Sequence, residues 1–228
     1  MLTSDSYSRR ADCVWPGRAL VPTTGARGVS WLLALLRGIG AGAVLFGTVA
    51  LSHAEDANGR FAVKGAGTLP CKVLTAEREK KSNGYFLIGG WVEGYLSAHN
   101  RYVDDTFDIT SFESTELLLA VIGDHCAKHP EDRLYPVVNA MIAKLAEERV
   151  RTTSERIQVS DGTRTTMLYQ ATIRRIQEAL AAKQLYQGDA DGTFSDATKT
   201  ALAAFQKGIN FEATGFPDQA TLWRLLRK

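Results

Sequence analysis

The chain has 228 residues, of which 27 are lysine or arginine and 25 are aspartate or glutamate, so its formal net charge is only +2. No basic patch with interleaved aromatic residues occurs in it, which excludes nucleic acid from the expected partners. Residues 1–54 contain five of the arginines and two of the aspartates, so the rest of the chain has a net charge of −1.

The first 54 residues predict a secretion signal rather than a domain. Residues 38–51 are an uncharged apolar run of about 14 residues, shorter than the roughly 20 that a transmembrane helix needs. Arg37 precedes the run, and Ser52-His53-Ala54 follows it with the small-x-small pattern of a cleavage site. We therefore expect a cleaved signal peptide at 1–54 and no stable membrane span after cleavage.

Residues 66–150 predict a helical domain. Six residues at spacings of three and four would form the buried face of its main helix. They are Ile88, Trp91, Val92, Tyr95, Leu96 and His99. Gly90 and Gly94 share another face, where they would let a neighbouring helix approach closely. The aspartates of residues 104–108 predict a solvated turn, since the glycine and final glutamate of a calcium loop are missing.

Two more helices are predicted in this domain. Thr110 and Glu113 have the spacing of a capping box, which predicts a helix over residues 112–128. Pro130 would end it, and Pro136 fits the first turn of the next helix. The inward-facing residues of that helix are Val138, Met141, Ile142 and Leu145.

Cysteine usage predicts one disulfide bond. Cys13 lies in the predicted signal peptide, which leaves Cys71 and Cys126 as a single pair. In an oxidising compartment such a pair most simply forms a bridge, and two buried thiols are the alternative. The bridge would close a loop of about 56 residues and stabilise the fold by roughly 4 kcal/mol through loop entropy.

The domain resembles the small disulfide-linked helical proteins of the bacterial periplasm, of the HdeA acid-chaperone type and the related immunity proteins of type VI secretion. The matching features are the early cysteine, the Tyr-Phe-Leu-Ile-Gly-Gly-Trp helix, the later cysteine and a His-Pro pair just beyond it. The resemblance implies that residues 66–150 bind a protein partner. An acid-responsive chaperone is one alternative within it.

Residues 151–166 are polar, rich in threonine and arginine, and without a periodic pattern of apolar residues, which predicts a linker of moderate flexibility.

Residues 167–228 predict three short helices joined by glycine turns. Gly192 and Gly215 can each supply a left-handed turn. Each is followed by a capping candidate, Ser195 or Asp218, whose oxygen would accept from the backbone N–H three residues later.

This region resembles the small helical peptidoglycan-binding domain found at the ends of many bacterial cell-wall hydrolases. The resemblance rests on residues in the order and spacing of that family: Ile173, Ile176-Gln177, Ala179-Leu180, Leu185-Tyr186, Gly188, Asp191-Gly192, Phe194, Thr198, Ala201-Leu202, Phe205-Gln206, Thr214-Gly215, Asp218 and Thr221-Leu222. It implies peptidoglycan as the ligand. The candidate ligand-binding residues are the polar and amphipathic ones near the turns, since sugar faces stack on aromatic rings and carboxylates pair with arginine. They are Arg175, Tyr186, Gln187, Asp191 and Arg224.

No catalytic motif is found, and we expect no catalytic residue, metal or cofactor. His125 and His129 lie four residues apart, and His99 or residues 104–108 could complete a zinc site with them, but the H-E-x-x-H pattern is missing. The alternative that stays open is a cell-wall hydrolase with its catalytic residues in the middle domain. The sequence thus predicts an all-α periplasmic protein of a Gram-negative bacterium, with a disulfide-linked helical domain followed by a peptidoglycan-binding domain.

Overall fold

The computed structural model describes residue 56 and residues 58–227. The predicted signal peptide and its cleavage site lie outside the described residues. Within the described part, the chain forms seven α-helices and one β-hairpin. None of these helices combines the length and the apolar character that crossing a membrane requires.

The first four helices form a bundle, which we call the front bundle. They are α1 (Cys71–Lys80), α2 (Asn83–Tyr102), α3 (Thr115–Cys126) and α4 (Leu134–Leu145). Short 3₁₀ turns at Gly65–Thr68 and Ala146–Glu148 flank them. The predicted periodicity is confirmed, because Ile88, Val92 and Leu96 are buried on α2 and meet the buried face of α4 in one core.

The predicted disulfide bond is present. Cys71, the first residue of α1, is bonded to Cys126, the last residue of α3, and both are fully buried. The bridge ties two helix ends that are separated by 55 residues of chain. It therefore restricts the unfolded chain over most of the front bundle.

Two details of the front bundle differ from the prediction. Helix α3 begins at Thr115, and its N-cap is Ser114, whose hydroxyl accepts from the backbone N–H of Leu117 at 3.3 Å. Glu113 is therefore not the second half of a capping box. Its carboxylate accepts from Arg227 instead. Gly90 and Gly94 are exposed on α2 with open space where a Cβ would lie, so no helix of the described part packs against them.

The chain is not strictly all-α. Strands β1 (Arg156–Ser160) and β2 (Thr165–Tyr169) pair antiparallel, with Arg156 opposite Tyr169 and Ser160 opposite Thr165. Ile157 and Val159 alternate with polar residues in β1, so their apolar side chains share one face of the hairpin. It occupies most of the segment in which the sequence predicts a linker.

Three helices follow the hairpin and form what we call the C-terminal module. They are α5 (Gln170–Ala182), α6 (Asp196–Gly208) and α7 (Gln219–Leu226). Their buried faces are those that helical spacing predicts, with Ile173, Ile176 and Leu180 meeting Leu202 and Leu222 in a second core. Val159 and Leu168 of the hairpin also lie in this core. The hairpin is therefore part of the packed structure of the C-terminal module.

The loop between α2 and α3 belongs to the front bundle in sequence but packs against the C-terminal module. Its Phe112 is buried in the core of the module rather than in that of the bundle. The side chain of Gln219, the first residue of α7, donates to the carbonyl of Phe112 at 2.8 Å and accepts from the backbone N–H of Ser114 at 2.8 Å. Thr172 on α5 donates to the carbonyl of Ser111 at 2.8 Å. Helices α5 and α7 thus hold this loop from both sides.

An ion pair lies at the same junction. The carboxylate of Glu113 is fully shielded from solvent, and the side chain of Arg227 is only 9% exposed. Arg227 Nε donates to Glu113 Oε1 at 2.7 Å, and another nitrogen of the same guanidinium donates to Glu148. Because a buried carboxylate without a counter-charge is very costly, this pair fixes α7 against the loop before α3.

We predict that Arg227→Met destabilises the protein strongly. The substitution leaves the carboxylate of Glu113 buried without a cation, so the free energy of unfolding should fall by about 3 to 5 kcal/mol. Urea unfolding followed by circular dichroism measures the change. Arg224→Met, on the same helix but exposed, is the matched control and should change stability by less than about 0.5 kcal/mol.

The double variant Glu113→Leu/Arg227→Met tests the reason for that loss. Replacing both members of a buried pair by apolar residues is often neutral, so much of the stability lost in Arg227→Met should return. A double variant that is less stable than Arg227→Met would show that the cost comes from lost packing rather than from an unpaired charge.

Candidate functional site

Two buried glutamines organise the turns of the C-terminal module. Gln177 on α5 accepts from the backbone N–H of Gly192 at 2.8 Å and donates to the carbonyl of Thr193 at 3.0 Å. It also lies within 3.2 Å of the hydroxyl of Thr198 in the first turn of α6. One fully buried amide therefore connects a helix, the following glycine turn and the next helix.

The same arrangement occurs a second time. Gln206 on α6 accepts from the N–H of Gly215 at 2.7 Å and donates to the carbonyl of Phe216 and the hydroxyl of Thr221, each at 3.0 Å. Both side chains are buried with their polar atoms satisfied, which makes each network stabilising rather than costly. The module is thus built from two repeats of helix, glutamine-bound turn and capped helix.

The predicted helix caps are confirmed. The hydroxyl of Ser195 accepts from the N–H of Thr198 at 3.4 Å, and the carboxylate of Asp218 accepts from the N–H of Thr221 at 2.8 Å. The glycine turns are also as predicted: Gly192 has a φ of 80° and Gly215 a φ of 66°.

Three of the five candidate ligand-binding residues have partners within the protein. Tyr186 is buried, and its hydroxyl donates to the carbonyl of Asp189 at 3.1 Å. Asp191 accepts from Gln177 and from the N–H of Thr193, and these hydrogen bonds, led by that from Gln177, lower its pKa.

Arg175 lies at the junction with the front bundle. Its guanidinium donates to the hydroxyl of Ser111 at 3.0 Å and to the carbonyl of Glu148 at 2.9 Å, and it forms an ion pair with the carboxylate of Glu148. Burial lowers the pKa of Arg175, while the nearby Glu148 acts in the opposite direction. The geometry gives this residue a role in holding the two parts of the protein together.

Gln187 and Arg224 have exposed side chains, Gln187 in the loop after α5 and Arg224 on α7. Asp191 is exposed too, but its carboxylate already accepts hydrogen bonds within its own turn. Among the five candidates, Gln187 and Arg224 are the two whose side chains form no hydrogen bond with any residue that the structure describes. The sequence already indicated that Asp191 stabilises its own turn, and its hydrogen bond from the N–H of Thr193 agrees with that. It did not indicate the role of Arg175, because the partners of Arg175 lie 27 and 64 residues away along the chain.

Two histidines of the front bundle, His125 and His129, lie side by side. Nε2 of His125 lies 2.8 Å from a carboxylate oxygen of Asp132, and its ring stacks on that of His129 with 4.6 Å between centroids. His99 is half-buried on α2, where burial lowers its pKa. Over the described residues, no three His, Cys, Asp or Glu side chains are grouped so that they could hold a metal ion.

We predict that Gly215→Ala destabilises the module and that Gly208→Ala does not. An alanine Cβ at position 215 would lie 2.7 Å from the carbonyl oxygen of Lys199, at a φ of 66°. The clash and the left-handed backbone should together lower the free energy of unfolding by about 2 kcal/mol or more.

Gly208 is the matched control, because it ends α6 with open space around its missing side chain. Its replacement by alanine should be neutral or stabilising by up to about 1 kcal/mol. Thermal and urea unfolding of both variants provide the comparison. Equal effects at the two positions would show that the turn geometry does not constrain the module.

Comparison with known proteins bears on the C-terminal module. Searches of curated proteins and of solved structures found no significant match. The resemblance of the front bundle to HdeA-type proteins and immunity proteins therefore stays a prediction. Residues 169–225 match the family model described as "Putative peptidoglycan binding domain". The match begins at the last residue of β2 and ends within α7, so it covers both glutamine-bound turns. The C-terminal module is a domain of this peptidoglycan-binding family.

Proposed function

We propose that this protein is a non-catalytic peptidoglycan-binding protein of the periplasm whose front bundle binds a protein partner. The observation that carries the peptidoglycan-binding part of the proposal is the family match over residues 169–225, which runs from the last residue of β2 into α7. Gln187 and Arg224 are the proposed ligand contacts, since their side chains are exposed beside that frame. Binding to the wall would raise the local concentration of the partner there.

The positions of the reactive side chains support a non-catalytic role. Glu113, the carboxylate that a hydrolase could use as an acid, is buried in an ion pair with Arg227. Cys126 is bonded to Cys71, and His125 is paired with Asp132. Glu113 and Cys126 are thus engaged in holding the fold together, and His125 already has a carboxylate partner.

The periplasmic location has two supports. Peptidoglycan lies outside the cytoplasmic membrane, and a disulfide such as Cys71–Cys126 persists in oxidising compartments. Export through a cleaved signal peptide at 1–54 is part of the proposal.

An exposed apolar strip on α2 supports the binding of a protein partner. Phe86 is 71% exposed and Leu87 is 74% exposed, although both are large apolar residues within a helix. The exposed Gly90 and Gly94 continue the surface along α2 and leave room for a partner to approach the backbone closely. Large apolar side chains that stay exposed on a helix are a feature of protein interfaces, which is why we place the partner on this part of α2.

We predict that the purified protein co-sediments with insoluble sacculi. Arg224→Ala/Gln187→Ala should reduce the bound fraction several-fold without changing the melting temperature, because both side chains are exposed. Lys199→Ala/Glu178→Ala, a pair of exposed residues on α6 and α5, is the matched control.

A protein that stays in the supernatant would contradict the peptidoglycan assignment. Clearing of sacculi in a zymogram, lost on replacing His125 or His129, would instead support the alternative of a cell-wall hydrolase.

We predict that a photo-reactive amino acid at position 87 gives a discrete protein adduct in cells, whereas one at exposed Lys128 does not. Mass spectrometry identifies the adduct, and binding of the purified partner should then be lost in Leu87→Lys, which places a charge on the apolar strip. Equal adducts at both positions, or partner binding that is unaffected by Leu87→Lys, would contradict this part of the proposal.

A further inference from the structure

A cleft of about 450 Å³ lies between the front bundle and the C-terminal module. One wall consists of α3 and α4, which contribute Val121, Val137 and Met141. The other wall belongs to α7, which contributes the indole of Trp223. Trp223 is partly buried, so one part of the ring packs on the core of the module while another part faces the cleft.

The rim of the cleft offers one positive and one negative charge. Lys144, at the end of α4, and Glu147, in the following 3₁₀ turn, both line it and are exposed. Neither side chain forms an ion pair with any residue that the structure describes. The other charges of the cleft, Arg227 and Glu148, neutralise each other, and His125 is paired with Asp132.

The cleft has an aromatic face, an apolar floor and two opposite charges at its rim. Together these features indicate the chemical class of its ligand. The indole suits the apolar face of a sugar ring. The floor suits small aliphatic groups, and the rim suits a chain that carries both a carboxylate and an ammonium group. A saccharide joined to a short zwitterionic peptide has all of these features.

We propose that this cleft binds the disaccharide-peptide unit of peptidoglycan, with Trp223 against the sugar and Lys144 against a peptide carboxylate. The inference rests on the proposed function, since α7 belongs to the module that matches the peptidoglycan-binding family. It adds that the front bundle supplies half of the binding site.

The size of the cleft favours such a ligand over a protein surface. Sites for small ligands have volumes of about 300 to 1,000 Å³, and the cleft falls within that range. A stable protein interface covers roughly 800 Å² of each partner, which a recess of this size does not provide. The exposed strip on α2 is the better surface for a protein.

The test is a titration of the full-length ¹⁵N-labelled protein with the soluble disaccharide tetrapeptide released from sacculi. The indole N–H signal of Trp223, assigned by its loss in Trp223→Phe, should shift on binding. Lys144→Glu should weaken binding roughly three- to tenfold, because it replaces an attraction by a repulsion. Trp223→Ala should weaken it about thirtyfold or more.

Lys207→Glu is the matched control for Lys144→Glu, because both lysines are exposed in the last turn of a helix and Lys207 lies on α6, outside the cleft. The Lys207→Glu variant should bind the disaccharide tetrapeptide with the same affinity as the wild type. Since Trp223 also packs on the core, a melting curve accompanies Trp223→Ala, and Lys144→Glu remains decisive if that variant fails to fold.

Three outcomes would overturn the inference. They are an unshifted Trp223 signal on saturation, equal weakening by Lys144→Glu and Lys207→Glu, and failure of the wild type to bind the disaccharide tetrapeptide at all. Retained sedimentation with sacculi in the first two cases would leave the peptidoglycan assignment standing and move the binding site elsewhere on the module. Loss of sedimentation as well would reject both proposals.

Discussion

A buried carboxylate needs a cation beside it, and the carboxylate of Glu113 forms an ion pair with Arg227, 114 residues further along the chain. Around this pair, Gln219 and Thr172 bind the backbone of the loop before α3, and Phe112 enters the core of the C-terminal module. The loop is thereby shared between the two parts of the protein. The front bundle and the module consequently belong to one compact unit, and the cleft lies where they meet.

Inside the module, the turns depend on buried amides rather than on apolar contacts alone. Each glutamine satisfies a glycine N–H that would otherwise be buried without a partner, and each glycine adopts a backbone conformation that other residues disfavour. The polar groups nearest the turns are therefore already occupied. This is why Tyr186 and Asp191 have internal partners, and why ligand recognition is proposed for the exposed residues and the cleft.

The proposed function uses both parts of this compact unit. If the module binds the wall and the exposed Phe86 and Leu87 bind a protein partner, both ligands are bound by the same compact unit. The hairpin contributes directly, because Val159 and Leu168 are buried in the core of the module.

The sequence by itself determined the features that depend on neighbours three or four residues apart. The helical periodicity around Ile88 and Ile173, the caps at Ser195 and Asp218, and the left-handed glycine turns all follow from such local geometry. The disulfide could be predicted because only one pair of cysteines remained. The tertiary structure decided which charged groups pair across long stretches of chain. Nothing in the sequence around Glu113 or Arg175 indicates that Glu113 pairs with Arg227 or that Arg175 pairs with Glu148. The short alternation of Ile157 and Val159 becomes a strand only because a second strand and an apolar core lie beside it, since a hairpin without such packing is barely stable in water.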